Sequence, residues 1–255
     1  RWLWDFMPGN HDEIDFLTTI SSDHYAKWGK IAGYYPAYWN LGLQAFMRAS
    51  KQKYDLIVAW EGKNGFPLAV LRRLFQRNEP PFVILAFSYR GLIRHFGKFA
   101  SLGMQGVSHI SVTTRFEVSN YQKALGLRPD QITQIPLGWY EVTSSSSMDN
   151  RFFGKEPFIL ASGRSFRDYK TFVEAIEGMN MNVLIIARKY NLPKIKLPEN
   201  VVTTDMLPSQ EFWDLLHQTR ILVVPLFPLP HAAGDGHIIQ GMSAGKAIVA
   251  TRSPS

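Results

Sequence analysis

The chain has 255 residues, 45% hydrophobic and 19% charged, which fits one large domain or two ordinary ones and excludes an intrinsically disordered chain. It has no cysteine, which excludes disulfide scaffolds and thiolate metal sites. The net charge of +7 favours anionic partners, but the basic residues never form a block of five or six, which argues against a nucleic-acid-binding tail.

In chain order, apolar β-rich runs alternate with helical patterns. A helix pattern, YWNLGLQAFMRAS (38–50), precedes the strand DLIVA (55–59), and FPLAVLRRLFQ (66–76) follows as a helix. Then come the strand FVILAF (82–87), the amphipathic GLIRHFGKFASLG (91–103), the strand HISVTT (109–114), the helix RFEVSNYQKALGL (115–127) and the strand ITQIPLG (132–138). No apolar run reaches the ~18 residues a membrane span requires.

The segment 139–157, with four consecutive serines and no apolar period, interrupts this rhythm and reads as a linker or exposed loop. The alternation then resumes with FILASG (158–163), DYKTFVEAIEG (168–178), NVLIIA (182–187), NVVTT (200–204), SQEFWDLLHQ (209–218) and ILVVPL (221–226). Strands and helices in this order predict βαβ units with parallel sheets, in two Rossmann-like domains spanning 1–145 and 146–255.

Two stretches carry candidate chemistry. In FILASGRSFRDYKTF a strand runs through Gly163 into a helix, with Arg164 and Arg167 at the junction. Ligands of open α/β sheets sit at the carboxyl ends of strands, where two guanidiniums could clamp a diphosphate; taken alone, each reads more readily as a solvated arginine at a helix start, since most charged residues are exposed. In AGDGHIIQGMSAGKAIVAT (233–251), Gly234 and Gly236 permit close backbone approach, and His237–Ala244 reads as a helix whose free N–H groups would face an anion. The Walker spacing fails because three residues separate Gly241 from Gly245 and Ala247 follows Lys246; the dinucleotide pattern fails because Ile239 stands where its third glycine belongs. The stretch is thus a phosphate loop of neither kind, or only a turn, and Lys246 reads as a structural, loop-exposed residue.

Three blocks, 108–138, 158–175 and 221–252, in this order and spacing resemble the GT-B glycosyltransferases, in particular the large retaining family four. That resemblance implies an N-terminal acceptor-side domain and a C-terminal nucleotide-sugar domain, each Rossmann-like and facing a shared cleft, with both chain ends truncated and the C-terminal domain incomplete. It implies a cytoplasmic, metal-independent, cofactor-free hexosyl transfer, with retention, from a nucleotide-diphosphate sugar. The acceptor would be a sugar, a lipid-linked molecule or a small molecule, within polysaccharide or glycoconjugate biosynthesis. No nucleic-acid partner is implied. The cations and apolar residues of 91–103 suit either peripheral docking on an anionic membrane or an ordinary amphipathic helix packed on a sheet.

Residue by residue, the resemblance gives Arg164 and Arg167, behind the Gly163 turn, the donor diphosphate, and assigns the backbone of Gly234, Asp235 and Gly236 to the phosphate–sugar junction. Asp235 would take over the sugar contact, with His237 and Ile238 in the same loop and Gln240 on the ribose. Arg188, Asp205, Met206 and Leu207 would line the base, and Glu61 and Arg90 the acceptor side. This sequence departs from the family at Ala232 and Gln240, where relatives carry two glutamates, and at Phe87-Ser88-Tyr89-Arg90, where they carry a histidine. These departures keep a second reading in play, a catalytically silent nucleotide-binding module.

Overall fold

A computed structural model describes residues 14–18, 35–88, 98–138, 150–228 and 233–253. The chain divides into two compact units, one of residues 1–113 and 118–135, the other of 114–117 and 136–255.

The first unit holds a four-stranded parallel sheet, β1 (Ile57–Trp60), β2 (Phe82–Leu85), β3 (His109–Val112) and β4 (Ile132–Gln134), in that spatial order. Helix α1 (Tyr35–Lys51) packs on α2 (Gly62–Leu74), residues 98–104 are helical, and α3 (Arg115–Leu125) joins β3 to β4. The core takes Phe82, Ile84, Ile110 and Val112 from the strands, Leu68 and Ala69 from α2, and Tyr121 and Leu125 from α3.

Helix α2 starts at Gly62, four residues before the helical period becomes visible at Phe66. The two glycines of the first turn hide the start. Gly65 serves close packing, because a Cβ there would lie 2.7 Å from the Ile84 side chain. The buried Arg72 donates to the carbonyls of Asn78, Glu79, Pro80 and Gly106, tying the segment after α2 to the turn before β3.

The second unit is a five-stranded parallel sheet of β5 (Phe158–Ser162), β6 (Asn182–Ile186), β7 (Val201–Thr204), β8 (Ile221–Val224) and β9 (Ala247–Ala250). Helices α4 (Tyr169–Ala175), α5 (Ser209–Gln218) and α6 (Asp235–Ser243) connect them. The spatial order is β7-β6-β5-β8-β9, the doubly wound pattern. Strand β5 is buried throughout, and β6 everywhere but at its first residue. This explains their near-continuous apolar sequence, since helices cover both faces of such a sheet.

The expected linker contributes structure at its end. Asn150 Oδ1 accepts from the backbone N–H of Phe152 at 3.1 Å and of Phe153 at 2.8 Å. The turn seats both aromatic rings against the second core, with Phe153 5.6 Å from the Phe158 ring. Residues 150–157 therefore belong to the folded unit, and the cause is an asparagine-nucleated turn that hydrophobic periodicity cannot reveal. Among the described residues, no helix is long and apolar enough to cross a membrane.

Candidate functional site

In the second sheet the chain winds from β5 outward through β6 to β7, then crosses back to β8 on the other flank of β5. The order reverses between β5 and β8, and the carboxyl ends of strands at such a switch point are the usual ligand position in these folds. Loop 163–168 follows β5, and the segment from Pro225 leads from β8 towards α6.

The two segments are bonded to one another. The backbone N–H of Asp168 donates to the Pro225 carbonyl at 3.1 Å, and that of Phe227 to Phe166 at 3.1 Å. Phe166 adopts φ 60°, an uncommon value for a non-glycine residue. Asp168 caps α4 by accepting from the Thr171 N–H at 3.1 Å.

Arg167 crosses the junction and is only 7% exposed. Its Nε donates to the Ser162 carbonyl at 2.9 Å, its Nη1 to the Ser165 carbonyl at 2.9 Å, and its Nη2 to Nδ1 of His237 at 3.1 Å. Gly163, at φ 122°, leaves it room, since a Cβ there would lie 2.7 Å from Nε and Nη2. Tyr169 donates its hydroxyl to the Gly163 carbonyl at 2.8 Å. Burial lowers the Arg167 pKa, while the Tyr169 hydroxyl and the Asp235 carboxylate oppose that shift. Burial raises the Tyr169 phenol, with Arg167 opposing.

Gly234 precedes α6 in the left-handed region at φ 86°, and a Cβ there would lie 2.9 Å from Val224 Cγ1. It turns the chain sharply enough for Asp235 and Gly236 to begin the helix, where backbone N–H groups have no acceptor within the helix. Gly236 faces open space, with nothing within 4 Å of a Cβ added there. Farther along, Gly241 lets α6 settle onto the sheet, since a Cβ at that position would lie 2.7 Å from Leu222 Cδ2.

His237 sits beside Phe212 in an edge-on ring contact at 6.0 Å. Burial, with the Arg167 charge adding to it, pushes its pKa down to about 4, so the ring is neutral at neutral pH. Two oxygens at this junction, Ser162 Oγ and Asp235 Oδ1, are buried without a hydrogen-bond partner. Among the described residues, no group of three or more His, Cys, Asp or Glu side chains could hold a metal ion.

The residues singled out in the sequence divide clearly. Gly163, Arg164, Arg167, Gly234, Asp235, Gly236 and His237 all lie on the two bonded segments at the switch point. Arg164 is exposed, and Gln240 is part-buried in the second turn of α6. Arg188 is exposed after β6, and Asp205 and Met206 are exposed after β7, with Asp205 Oδ1 accepting from the Met206 N–H at 2.6 Å.

Several expected roles change. Arg167 is an internal tie rather than an open clamp, because its guanidinium is buried among carbonyls and His237. Leu207 and Ile238 are partly buried and pack against the core, and the Ile238 N–H is bonded to the Gly234 carbonyl at 3.1 Å, so that amide is not free for a ligand. Lys246 is half-buried and donates Nζ to the His217 carbonyl at 2.5 Å, fastening the end of α5 instead of lying exposed. Glu61 stands just past β1 at φ 62°, paired with Lys63 at 2.6 Å. Arg90, Ala232 and most of the 91–103 segment lie outside the described residues.

Sequence reasoning missed Asn191, whose Nδ2 donates to the Arg164 carbonyl at 2.8 Å and whose Oδ1 is buried without a partner. It also missed Phe212 beside His237. Neither carried a local signal, since one is an isolated asparagine before Leu192 and the other an ordinary helical aromatic.

No protein-family model matches the sequence, and no match is found among curated proteins. Solved structures do match by fold. Sucrose-phosphate synthase from Thermosynechococcus elongatus superposes with a TM-score of 0.60 at 15% identity, covering 86% of this chain and 61% of that one. An α,α-trehalose-phosphate synthase (UDP-forming) from Burkholderia vietnamiensis gives 0.58 at 12% identity, covering 86% and 65%. A glycosyltransferase from Rickettsia africae gives 0.54 at 13% identity, covering 85% and 62%. The chain thus spans a little over three fifths of the structures it matches. With two parallel α/β units, the second wound in the doubly wound order, the chain has the GT-B fold of these glycosyltransferases.

Proposed function

We propose that this chain belongs to a glycosyltransferase that binds a nucleotide-diphosphate sugar in the second unit and transfers the sugar to an acceptor. The observation that carries this reading is the junction at the switch point. There α6 begins at Asp235 and Gly236, whose N–H groups have no acceptor within the helix, and nothing lies within 4 Å of a Cβ added at Gly236. Arg164 is exposed on the loop after β5, and two buried oxygens, Ser162 Oγ and Asp235 Oδ1, have no partner. A helix N-terminus and a guanidinium suit the charge that develops on a departing diphosphate.

In the proposed reaction the bond between the anomeric carbon and the diphosphate oxygen breaks, and an acceptor oxygen takes that carbon with retention of configuration. The acceptor proton leaves with the diphosphate. Arg164 and the α6 amides meet the leaving-group charge, Asp235 orients the transferred sugar and Gln240 the ribose, while Arg167 holds the junction together. Arg188, Asp205 and Met206, at the ends of β6 and β7, would lie on the base side, and Glu61 on the acceptor side. A hexosyl donor and metal independence are part of the proposal.

The test is to incubate the full-length protein with radiolabelled nucleotide sugars, with and without chelator, beside an Arg164→Ala variant. The expected result is nucleotide release that survives chelation and falls at least tenfold in the variant, the loss of one charge-assisted contact of about 1.5–3 kcal/mol. Undiminished release in the variant would refute the diphosphate assignment. Nucleotide binding without turnover of any donor would leave the pocket as a binding module.

A further inference from the structure

Arg167 and His237 are 70 positions apart in sequence and share one hydrogen bond, from Nη2 to Nδ1 at 3.1 Å. A guanidinium has five N–H donors and no acceptor, so this bond can form only if Nδ1 offers a lone pair. The ring proton must then reside on Nε2. Arg167 is itself fixed by the carbonyls of Ser162 and Ser165, and Phe212 confines the ring from the side. Turning the ring over would bring a C–H edge against the guanidinium and forfeit the bond. A second proton would set N–H against N–H between two cations, an arrangement that the Asp235 carboxylate near Arg167 does not relieve by any ion pair among the described residues.

We infer that Arg167 acts as a tautomer lock, fixing His237 as a neutral imidazole whose Nε2–H donates to an oxygen of the bound donor. Nε2 makes no hydrogen bond to the described residues and is not one of the buried atoms lacking a partner, so it reaches solvent. His237 lies in the first turn of α6, directly after the open position at Gly236, so its ring Nε2–H adds a third donor to the two amides of Asp235 and Gly236. The ligand half of this inference rests on the nucleotide-sugar reading above; the tautomer half stands on geometry alone. Arg167 is on this account a positioning residue, and His237 the group that touches the ligand.

The test has two arms. Nitrogen NMR on protein carrying ¹⁵N-labelled histidine should show His237 with an unprotonated Nδ1 and a protonated Nε2; a proton on Nδ1 overturns the lock. Calorimetry with UDP and with UDP-glucose then compares His237→Gln, which keeps an amide N–H near the Nε2 position, with His237→Asn, which keeps a polar atom only near Nδ1. The glutamine variant should bind within a few-fold of wild type, and the asparagine variant should bind about tenfold more weakly, as for loss of one hydrogen bond to a charged or polar oxygen. A loss seen with both probes assigns the contact to a phosphoryl oxygen, and a loss seen only with UDP-glucose assigns it to the sugar. If asparagine preserves affinity and glutamine loses it, His237 serves only to hold Arg167 and the ligand role is overturned. Wild-type protein that binds neither probe overturns the nucleotide reading together with the ligand half, while the NMR result still decides the lock.

Discussion

The two glycines at the start of α6, Gly234 and Gly236, are under different pressures, and alanine at each should separate fold from ligand. At Gly234 an alanine would have to hold φ near 86°, with its Cβ 2.9 Å from Val224 Cγ1. Left-handed backbone costs an L-residue about 1–2 kcal/mol, and overpacking adds about 1–3 kcal/mol, so Gly234→Ala should lose roughly 2–5 kcal/mol. That corresponds to a fall in Tm on the order of 10 °C. Gly236 has no such burden, because nothing lies within 4 Å of an added Cβ. Gly236→Ala should leave stability unchanged or raise it by up to about 1 kcal/mol through helix propensity. If a diphosphate uses that space, however, the methyl group should weaken nucleotide binding roughly tenfold to a hundredfold, the equivalent of one charge-assisted hydrogen bond. Thermal melts by circular dichroism give the first quantity and calorimetric titration with UDP the second. A Gly236→Ala protein that melts as low as Gly234→Ala, or that binds UDP as wild type does, would refute the reasoning.

Arg167→Met should destabilise the protein by about 2–4 kcal/mol in urea unfolding, because two carbonyls and the His237 nitrogen lose a buried donor; Arg164→Ala, at an exposed position, should stay within about 0.5 kcal/mol of wild type. In the first unit, Arg72→Met removes the donor shared by four carbonyls and should cost about 2–4 kcal/mol, read as a lower urea midpoint without loss of UDP binding. His237 has its folded pKa pushed down to about 4 from an ordinary 6.5, so between those values the unfolded chain binds the extra proton. Its contribution is therefore full above about pH 6.5 and is lost as pH falls towards 4, by at most about 3 kcal/mol. His237→Asn should flatten that part of the stability–pH curve, measured by urea unfolding across the same interval.

Much of the fold was legible because strands buried on both faces read as apolar runs. FILAS and NVLII needed no alternation to be recognised, and SQEFWDLLHQ matched its helix from end to end. What escaped were features set by single contacts. The start of α2 was hidden by glycines that serve helix–sheet packing, and the Asn150 turn by the polar stretch before it. At the site, sequence spacing brought Arg164, Arg167 and the Gly234–Gln240 stretch to the carboxyl end of one sheet. It could not tell that one arginine faces solvent while the other is buried against His237, since both follow Gly163 within four residues. Nor could it foresee Leu207 and Ile238 packed against the core, because the side-chain direction of a loop or first-turn residue depends on packing that no period encodes.

The contact between Gly163 and Arg167 has an evolutionary consequence. With 2.7 Å between a would-be Cβ and the guanidinium, a side chain at 163 would force Arg167 out of its present hydrogen bonds. Homologous chains should therefore keep both or change both, and the two positions should covary more strongly than either does with exposed Arg164. Single replacements at 163 and 167 should each be damaging yet combine with less than the summed loss, since the second removes a clash the first created. A lineage that abandons this arginine would free the His237 ring from its fixed tautomer while burial still disfavours its charged form, so drift at position 163 would mark chains whose first α6 turn no longer holds that ring in one orientation.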